Sequence, residues 1–313
     1  MEETDALGIS FFVIAGGEPL TRPEIVDIAR DHSRVIFLLV TNGLLLDEAL
    51  IAKLTRLPNV VPVLSIEGGQ AETDERRGCG VHERLQGRME LLRRAGIFFS
   101  LSFTVTRTNF DTVTDTEFLA NAVQAGCRLF FHLEYTPIRA GTDEWVITDG
   151  QRESMKEPVA SFRARFPAVF IAVPWDEEEQ VGCLASGRGF IHISASGDLE
   201  PCSFAPYSDT NVLHVPLKES LRSRFLRVMR ENYDMFAETE GGCALWKNRE
   251  AVRALLDTGA EKAVRSTDSQ RAFPGLPSHL LSLTERAKQL GDPCLQAGGA
   301  KRRASKSPQE WAF

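Results

Sequence analysis

The chain has 313 residues, 43% hydrophobic and 25% charged, with a formal net charge of -7. That is enough for one α/β barrel of roughly 200–250 residues plus a small appendage, and the acidic balance excludes a nucleic-acid partner, whose phosphates are met by Lys and Arg. No apolar run reaches the ~20 residues a membrane helix needs, and the acidic start Met1–Asp5 is no signal peptide. Six cysteines in a chain of this length do not make a disulfide scaffold, so a cytoplasmic setting is expected, with some thiols acting as ligands.

In chain order, apolar runs occur at Ile9–Ala15, Val35–Thr41, Val60–Ile66, Ile97–Val105 and Leu129–Tyr135, with a weaker one at Val169–Val173. They are nearly continuous rather than alternating, as strands buried on both faces of a parallel sheet are. Helical patterns separate them. Thr21-Arg-Pro-Glu24 has capping-box spacing; Asp47–Leu57, Arg84–Ala95 and Thr116–Ala125 are amphipathic, the last two stopped by Gly96 and Gly126. Repeated strand–helix units predict a parallel sheet with right-handed crossovers. From about Gly182 the texture changes. Ile191–Ser194 and Leu199–Cys202 read as a hairpin turned at Ser196-Gly197, and Leu217–Tyr233 and Arg249–Leu256 read as helices. Residues 259–313 read as a loosely ordered tail, with one possible helix at Leu280–Leu290.

Gly16-Gly17-Glu18-Pro19 directly follows the first run. Paired glycines let backbone approach a ligand, and such a strand end can present carbonyls to an ammonium group; a plain strand–helix turn is the alternative. Later strand ends read Val40-Thr41-Asn42-Gly43, Leu64-Ser65-Ile66-Glu67-Gly68, Thr104-Val-Thr-Arg-Thr-Asn109 and Glu134-Tyr135-Thr136-Pro137-Ile138. In order and spacing these resemble strands of the radical S-adenosylmethionine (radical SAM) family, over roughly Ile9 to Leu256. The resemblance implies that Gly16, Gly17, Glu18 and Pro19 hold the methionine end of S-adenosylmethionine and that Ser65 and Glu67 lie near it. Residues two apart on a strand share a face, but Glu67 is equally placed to pair with Arg76 or Arg77. His132 and Glu134 share a face too, either toward the barrel interior or as a structural pair.

Cys183, Gly197, Cys202 and Cys243 resemble the opening of the SPASM extension, in a shorter twitch-like form. That resemblance implies an auxiliary 4Fe-4S cluster on Cys183, Cys202 and Cys243, thiolates being soft ligands suited to iron–sulfur. Three cysteines leave one iron open or require a fourth ligand, for which Cys294 is a weak candidate. Core thiols or a zinc site are the alternatives, and Cys79 and Cys127 lack partners at ligand spacing. The CxxxCxxC motif that holds the family's catalytic cluster is nowhere in the sequence. The chain is therefore expected to be a partial (β/α)6 radical SAM barrel lacking its first strand (residues 1–175). A small α+β SPASM/twitch-like domain (176–258) and the tail (259–313) would follow. A fragment with an unpaired apolar edge strand is one expectation; a non-catalytic iron–sulfur electron carrier or peptide-binding protein is the other. The resemblance further implies a peptide or small-molecule substrate and a reductant such as flavodoxin or ferredoxin.

Overall fold

Six parallel strands pair in sequential order: β1 (Phe11–Ile14), β2 (Ile36–Thr41), β3 (Val60–Ser65), β4 (Ser100–Val105), β5 (Leu129–Glu134) and β6 (Val169–Val173). The structure, a computed structural model, describes residues 1–179, 182–185, 187–236 and 242–257 and the two-residue strand β10 (Val264–Arg265). A short helix, α1 (Glu2–Ala6), precedes β1. The crossovers are α2 (Ile25–Asp31), α3 (Glu48–Leu54), α4 (Gln70–Arg77) with α5 (Val81–Arg94), α6 (Phe110–Val113) with α7 (Thr116–Gln124), and α8 (Asp149–Ser154) with α9 (Lys156–Arg165). The weakest run of the sequence, Val169–Val173, is a full strand, paired with β5 over five residues.

The sheet is open, a half-barrel with β1 and β6 at its edges. Register assigns its faces, because partners in a parallel ladder point the same way. Phe12, Phe37, Leu39, Leu64, Leu101, Phe103, Phe130, Phe170 and Ala172 face the helices and build the main core. On the other face Leu38, Val61 and Val63 cluster with Val40, Leu129 and Phe131. Side chains of β2 and β3 thus meet those of β5 across β4, whose residues on this face are Ser100 and Ser102 at the crossing and Thr104 beyond them. Small serines on the central strand let the flanks close in, so the sheet curls toward this face. At the edges the same face is open: Phe11 is 50% exposed, Val13 42% and Val169 56%.

Local signals mostly operate as read. Asp47 and Asp115 cap α3 and α7 by accepting from the amides of Leu50 and Phe118. The capping box at Thr21–Glu24 does not form. The Thr21 hydroxyl instead donates back to the Glu18 carbonyl at 2.7 Å, and α2 starts after Glu24 without a side-chain cap.

Beyond β6 come α10 (Trp175–Glu179), the antiparallel hairpin β7 (His192–Ile193) and β8 (Leu199–Glu200), β9 (Tyr207–Ser208), α11 (Leu217–Ser220), α12 (Arg224–Glu231), α13 (Ala244–Lys247) and α14 (Arg249–Asp257). Gly197, at φ +89°, makes the expected turn; an added Cβ there would stand 2.7 Å from Leu213. The single helix expected over Leu217–Tyr233 is broken, because Ser223 caps a new start by accepting from the Leu226 amide and Asp209 accepts from the Phe225 amide. A small core of Leu199, Leu217 and Leu226 receives Leu7 and Ile9 from the N-terminal segment, and the Leu217 amide donates to Glu3 at 2.6 Å. Apart from β10, which pairs with β9, the tail from 258 onward lies outside the described residues, including Leu280–Leu290 and Cys294.

Candidate functional site

The Gly16–Pro19 loop leaves the C-terminal end of β1, the end where ligands of parallel α/β folds bind. Gly16 (φ +95°) and Gly17 (φ +54°) are both left-handed, a conformation that costs other residues about 1–2 kcal/mol. A Cβ built on either would meet nothing within 4 Å. The glycines therefore answer backbone conformation rather than crowding, and space is open above them. Glu18 is spent on the protein. Its Oε1 accepts from the Leu20 amide (3.0 Å) and the Thr41 hydroxyl (2.7 Å), its Oε2 from the Asn42 amide (2.8 Å). The carboxylate clamps the loop after β1 to the end of β2, and buried Pro19 starts the following turn.

Ser65, 8% exposed, ends β3 on the concave face, in register with Ser102 of β4. Ser102 and Thr104 line the same rim and were not singled out from the sequence; the alternation in Ser100-Leu-Ser-Phe-Thr-Val105 was the available signal. Glu67 turns away. Its carboxylate is buried and takes Arg76 at 2.6 Å and Arg77 at 2.5 Å, both from α4, while its carbonyl accepts from Asn109. Arg76 in turn lies 6.0 Å from the Tyr135 ring centre and 5.8 Å from that of Trp145. The carboxylate is thus engaged by the protein, and what Glu67 does directly is brace the loops after β3 and β5.

His132 and Glu134 share a face, but it is the helix face, so neither points into the barrel interior. Glu134 pairs with Arg152 of α8 at 2.5 Å. His132 is fully buried among Phe103, Phe162 and their neighbours, with Nε2 donating to the Val113 carbonyl at 3.0 Å and Nδ1 unpartnered. Burial pushes its pKa down to about 4.

The three predicted cysteine ligands come together. Cys183 follows α10, Cys202 follows β8 and Cys243 precedes α13, and all border one apolar cluster containing Ala205, Phe225, Met229 and Leu245. Burial first, then the nearby Glu177 charge, raises the Cys183 thiol; burial raises Cys202. Cys183 also feels both of the other cysteines. Such thiols stay neutral until a cation compensates the thiolate. Among the described residues no three His, Cys, Asp or Glu side chains converge as a single metal ion requires. That disfavours zinc, whose thiolates sit about 2.3 Å from one ion; an iron–sulfur cluster spreads its thiolates around a larger body. Three soft thiol donors bordering one apolar cluster are a donor set that suits iron–sulfur chemistry. Gly242, beside Cys243, is packed so that an added Cβ would lie 3.5 Å from Glu134 Oε1. The Cys243 loop therefore abuts the end of β5, at the same end of the sheet as Gly16–Pro19. Cys127 is a core thiol, its pKa pushed up to about 12 by burial.

Residues 1–122 match the model of the Radical SAM superfamily. The AdoMet-dependent heme synthase of Methanosarcina barkeri is 29% identical over 283 residues, covering 82% of this chain and 74% of the relative. The PqqA peptide cyclase of Gluconobacter oxydans is 26% identical over 213 residues, 66% of this chain and 60% of the cyclase. Streptococcus suis SuiB, solved bound to S-adenosylmethionine, shares the fold at TM-score 0.61 and 17% identity, over 79% of this chain and 62% of SuiB. SuiB bound to its precursor peptide SuiA matches at TM-score 0.59 and 17% identity, over 79% of this chain and 61% of SuiB. The chain thus spans less than two thirds of the cyclase and of SuiB.

Proposed function

We propose that this chain, whose residues 1–122 match the Radical SAM superfamily model, belongs to an enzyme of that superfamily performing radical-based modification of a peptide or small molecule. The half-barrel would bind S-adenosylmethionine at the C-terminal ends of β1–β3, and Cys183, Cys202 and Cys243 would hold an auxiliary 4Fe-4S cluster. The observation that carries this reading is the pair of left-handed glycines, Gly16 and Gly17, under open space and clamped in place by Glu18. S-adenosylmethionine bound at a reduced cluster supplies a hydrogen-abstracting radical, and the protein's tasks are to orient it and exclude water.

The chain's own residues divide these tasks. Gly16 and Gly17 admit close approach of the methionine end. Ser65, Ser102 and Thr104 offer hydroxyls along the rim. Leu38, Val61, Val63 and Phe131 give an apolar floor that sheds water. Glu18, Glu67 and the Glu134–Arg152 pair hold the loops that frame the opening. The division near residue 176 into barrel and cluster domain, a cytoplasmic setting, and a flavodoxin or ferredoxin as reductant belong to the same proposal. A peptide substrate is supported by the relatives named for PqqA and SuiA, a small molecule by the heme synthases.

The sequence itself favours a second reading. None of the 313 residues forms a CxxxCxxC motif, so this chain alone would bind cluster and cofactor without cleaving the latter. Two measurements test the proposal: calorimetry of S-adenosylmethionine binding to the anaerobically purified chain, and assay of methionine and 5′-deoxyadenosine released after reduction by the full-length form. Binding by the chain with release by the full-length form supports an enzyme. Binding without release by either favours the non-catalytic protein, and no binding in either sinks the cofactor assignment.

A further inference from the structure

Among the described residues, the part of the chain that carries the three cysteines has an outer skin of uncovered apolar side chains. Leu184, Phe190, Tyr233 and Met235 are each between 36% and 49% exposed. They are interleaved with the buried cluster that the thiols border. Leu184 stands between buried Cys183 and Ala185, and Met235 precedes fully buried Phe236. Local contacts draw the four together. The Leu184 carbonyl accepts from the Gly189 amide at 3.0 Å and the Phe190 amide at 3.3 Å, so this loop folds back on itself. The Arg188 guanidinium lies 5.0 Å from the Tyr233 ring centre, which joins the loop to the segment after α12. Gly187 packs so closely on α12 that an added Cβ would stand 2.8 Å from the Arg230 side chain. Arginines border the patch: Arg188 on the loop, and Arg224, Arg227 and Arg230 along α12. The acids within these segments are Glu231, 4.0 Å from Arg227, and Asp234. Glu177 of α10 is occupied by the Leu184 amide at 3.1 Å. The surface is thus apolar at its centre and basic at its border, in a chain whose net charge is -7.

We propose that this face docks a small acidic one-electron carrier protein, which passes its electron to the auxiliary cluster through the Cys183–Leu184 segment. This rests on the cluster assignment above. The reduced carrier loses one electron, the cluster gains it, and no bond is made or broken. Leu, Phe, Tyr and Met packed beside arginine include the aromatic, Met and Arg side chains that protein interfaces favour, and a patch of four side chains suits a transient redox encounter rather than a permanent complex. The arginines choose the sign of the partner and speed its arrival. The chain's own tail carries the basic run Lys301-Arg302-Arg303, the wrong sign for an arginine border. Place decides the partner's chemistry: Leu184 is bonded directly to Cys183, so a carrier seated on this patch already touches the wall of the cluster site.

The test uses the full chain, reconstituted anaerobically, with purified flavodoxin as the acidic probe and cytochrome c as a basic control. Calorimetry should show flavodoxin binding that weakens as salt is added, and no binding of cytochrome c. Arg188→Glu with Arg227→Glu should weaken flavodoxin binding by about tenfold or more and slow cluster reduction in stopped-flow absorbance. Arg188→Lys with Arg227→Lys should keep the binding. Arg34→Glu with Arg56→Glu makes the same change of net charge at exposed sites elsewhere and should bind as wild type does. Phe190→Ser should weaken binding and leave its salt dependence unchanged. Absence of binding by wild type, or equal losses in the two charge-reversed pairs, overturns the proposal. So does a chain that dimerises through this face, seen in sedimentation as a dimer that Phe190→Ser dissociates. A Cys183→Ala, Cys202→Ala, Cys243→Ala variant separates the two assignments. If it keeps its iron and sulfide, the cluster reading fails and the proposal with it. If it loses them while Arg188→Glu with Arg227→Glu binds flavodoxin as tightly as wild type, only the docking face falls.

Discussion

Acidification should unlock the half-barrel through one side chain, His132. It is fully buried among phenylalanines, with Nδ1 unpartnered and Nε2 bonded to the Val113 carbonyl. Burial holds its pKa at about 4, against 6.5 for a free histidine. The unfolded chain therefore binds a proton below about pH 6.5 that the folded chain refuses until about pH 4. Stability is whole above that window and drains as pH falls through it, by about 2 kcal/mol at pH 5 and about 3 kcal/mol at pH 4. Carboxylates also titrate at the acid end, so the contribution is isolated as a difference. Urea midpoints of wild type and His132→Leu would be compared from pH 7.5 to 4.5. The variant gives up one hydrogen bond, about 1 kcal/mol, at every pH, but should lack the histidine slope. The curves then converge and cross at about pH 6, below which the variant is the more stable. Parallel curves would refute the reasoning.

Glu18→Gln keeps the shape of the clamp but removes its charge. The remaining oxygen can accept from the Leu20 amide and Thr41 hydroxyl, but the new NH2 group cannot accept from the Asn42 amide, and S-adenosylmethionine affinity should drop about tenfold, read by calorimetry; unchanged affinity would mean the clamp does not set the loop. Glu67→Ala strands two half-buried guanidinium groups and should cost about 2–3 kcal/mol in unfolding free energy. A residue serving only as a cofactor ligand would leave the melting temperature of cofactor-free protein where it was. Val13→Lys, on the exposed side of edge strand β1, should raise the soluble fraction on expression while changing stability by less than about 0.5 kcal/mol; equal aggregation would show that the edge is not the sticky element. Gly242→Val should displace the Cys243 loop from Glu134 and Lys247 and lower retained iron per chain, measured colorimetrically.

The strand–helix rhythm was legible because both-face burial writes long apolar runs, and β1 through β6 fall on them. Motifs made of backbone were legible too: Gly16-Gly17 and Gly197 sit where the chain turns left-handed. What stayed hidden was direction. His132 and Glu134 alternate correctly, but which face of β5 meets the helices depends on register with β4 and β6. Glu18 and Glu67 look like ligands in isolation, and only the fold brings Thr41, Asn42, Arg76 and Arg77 to them.

The graded concave face, apolar at Leu38, Val61 and Val63 and hydroxylated at Ser65, Ser102 and Thr104, gives the trough a polarity along its length. A molecule with one charged end and one flat, oily end has a single favourable way to lie in it, charged end at the rim and ring system inward. Orientation is then decided by wetting before any individual contact forms, so a ligand of that kind would lie the same way on every encounter.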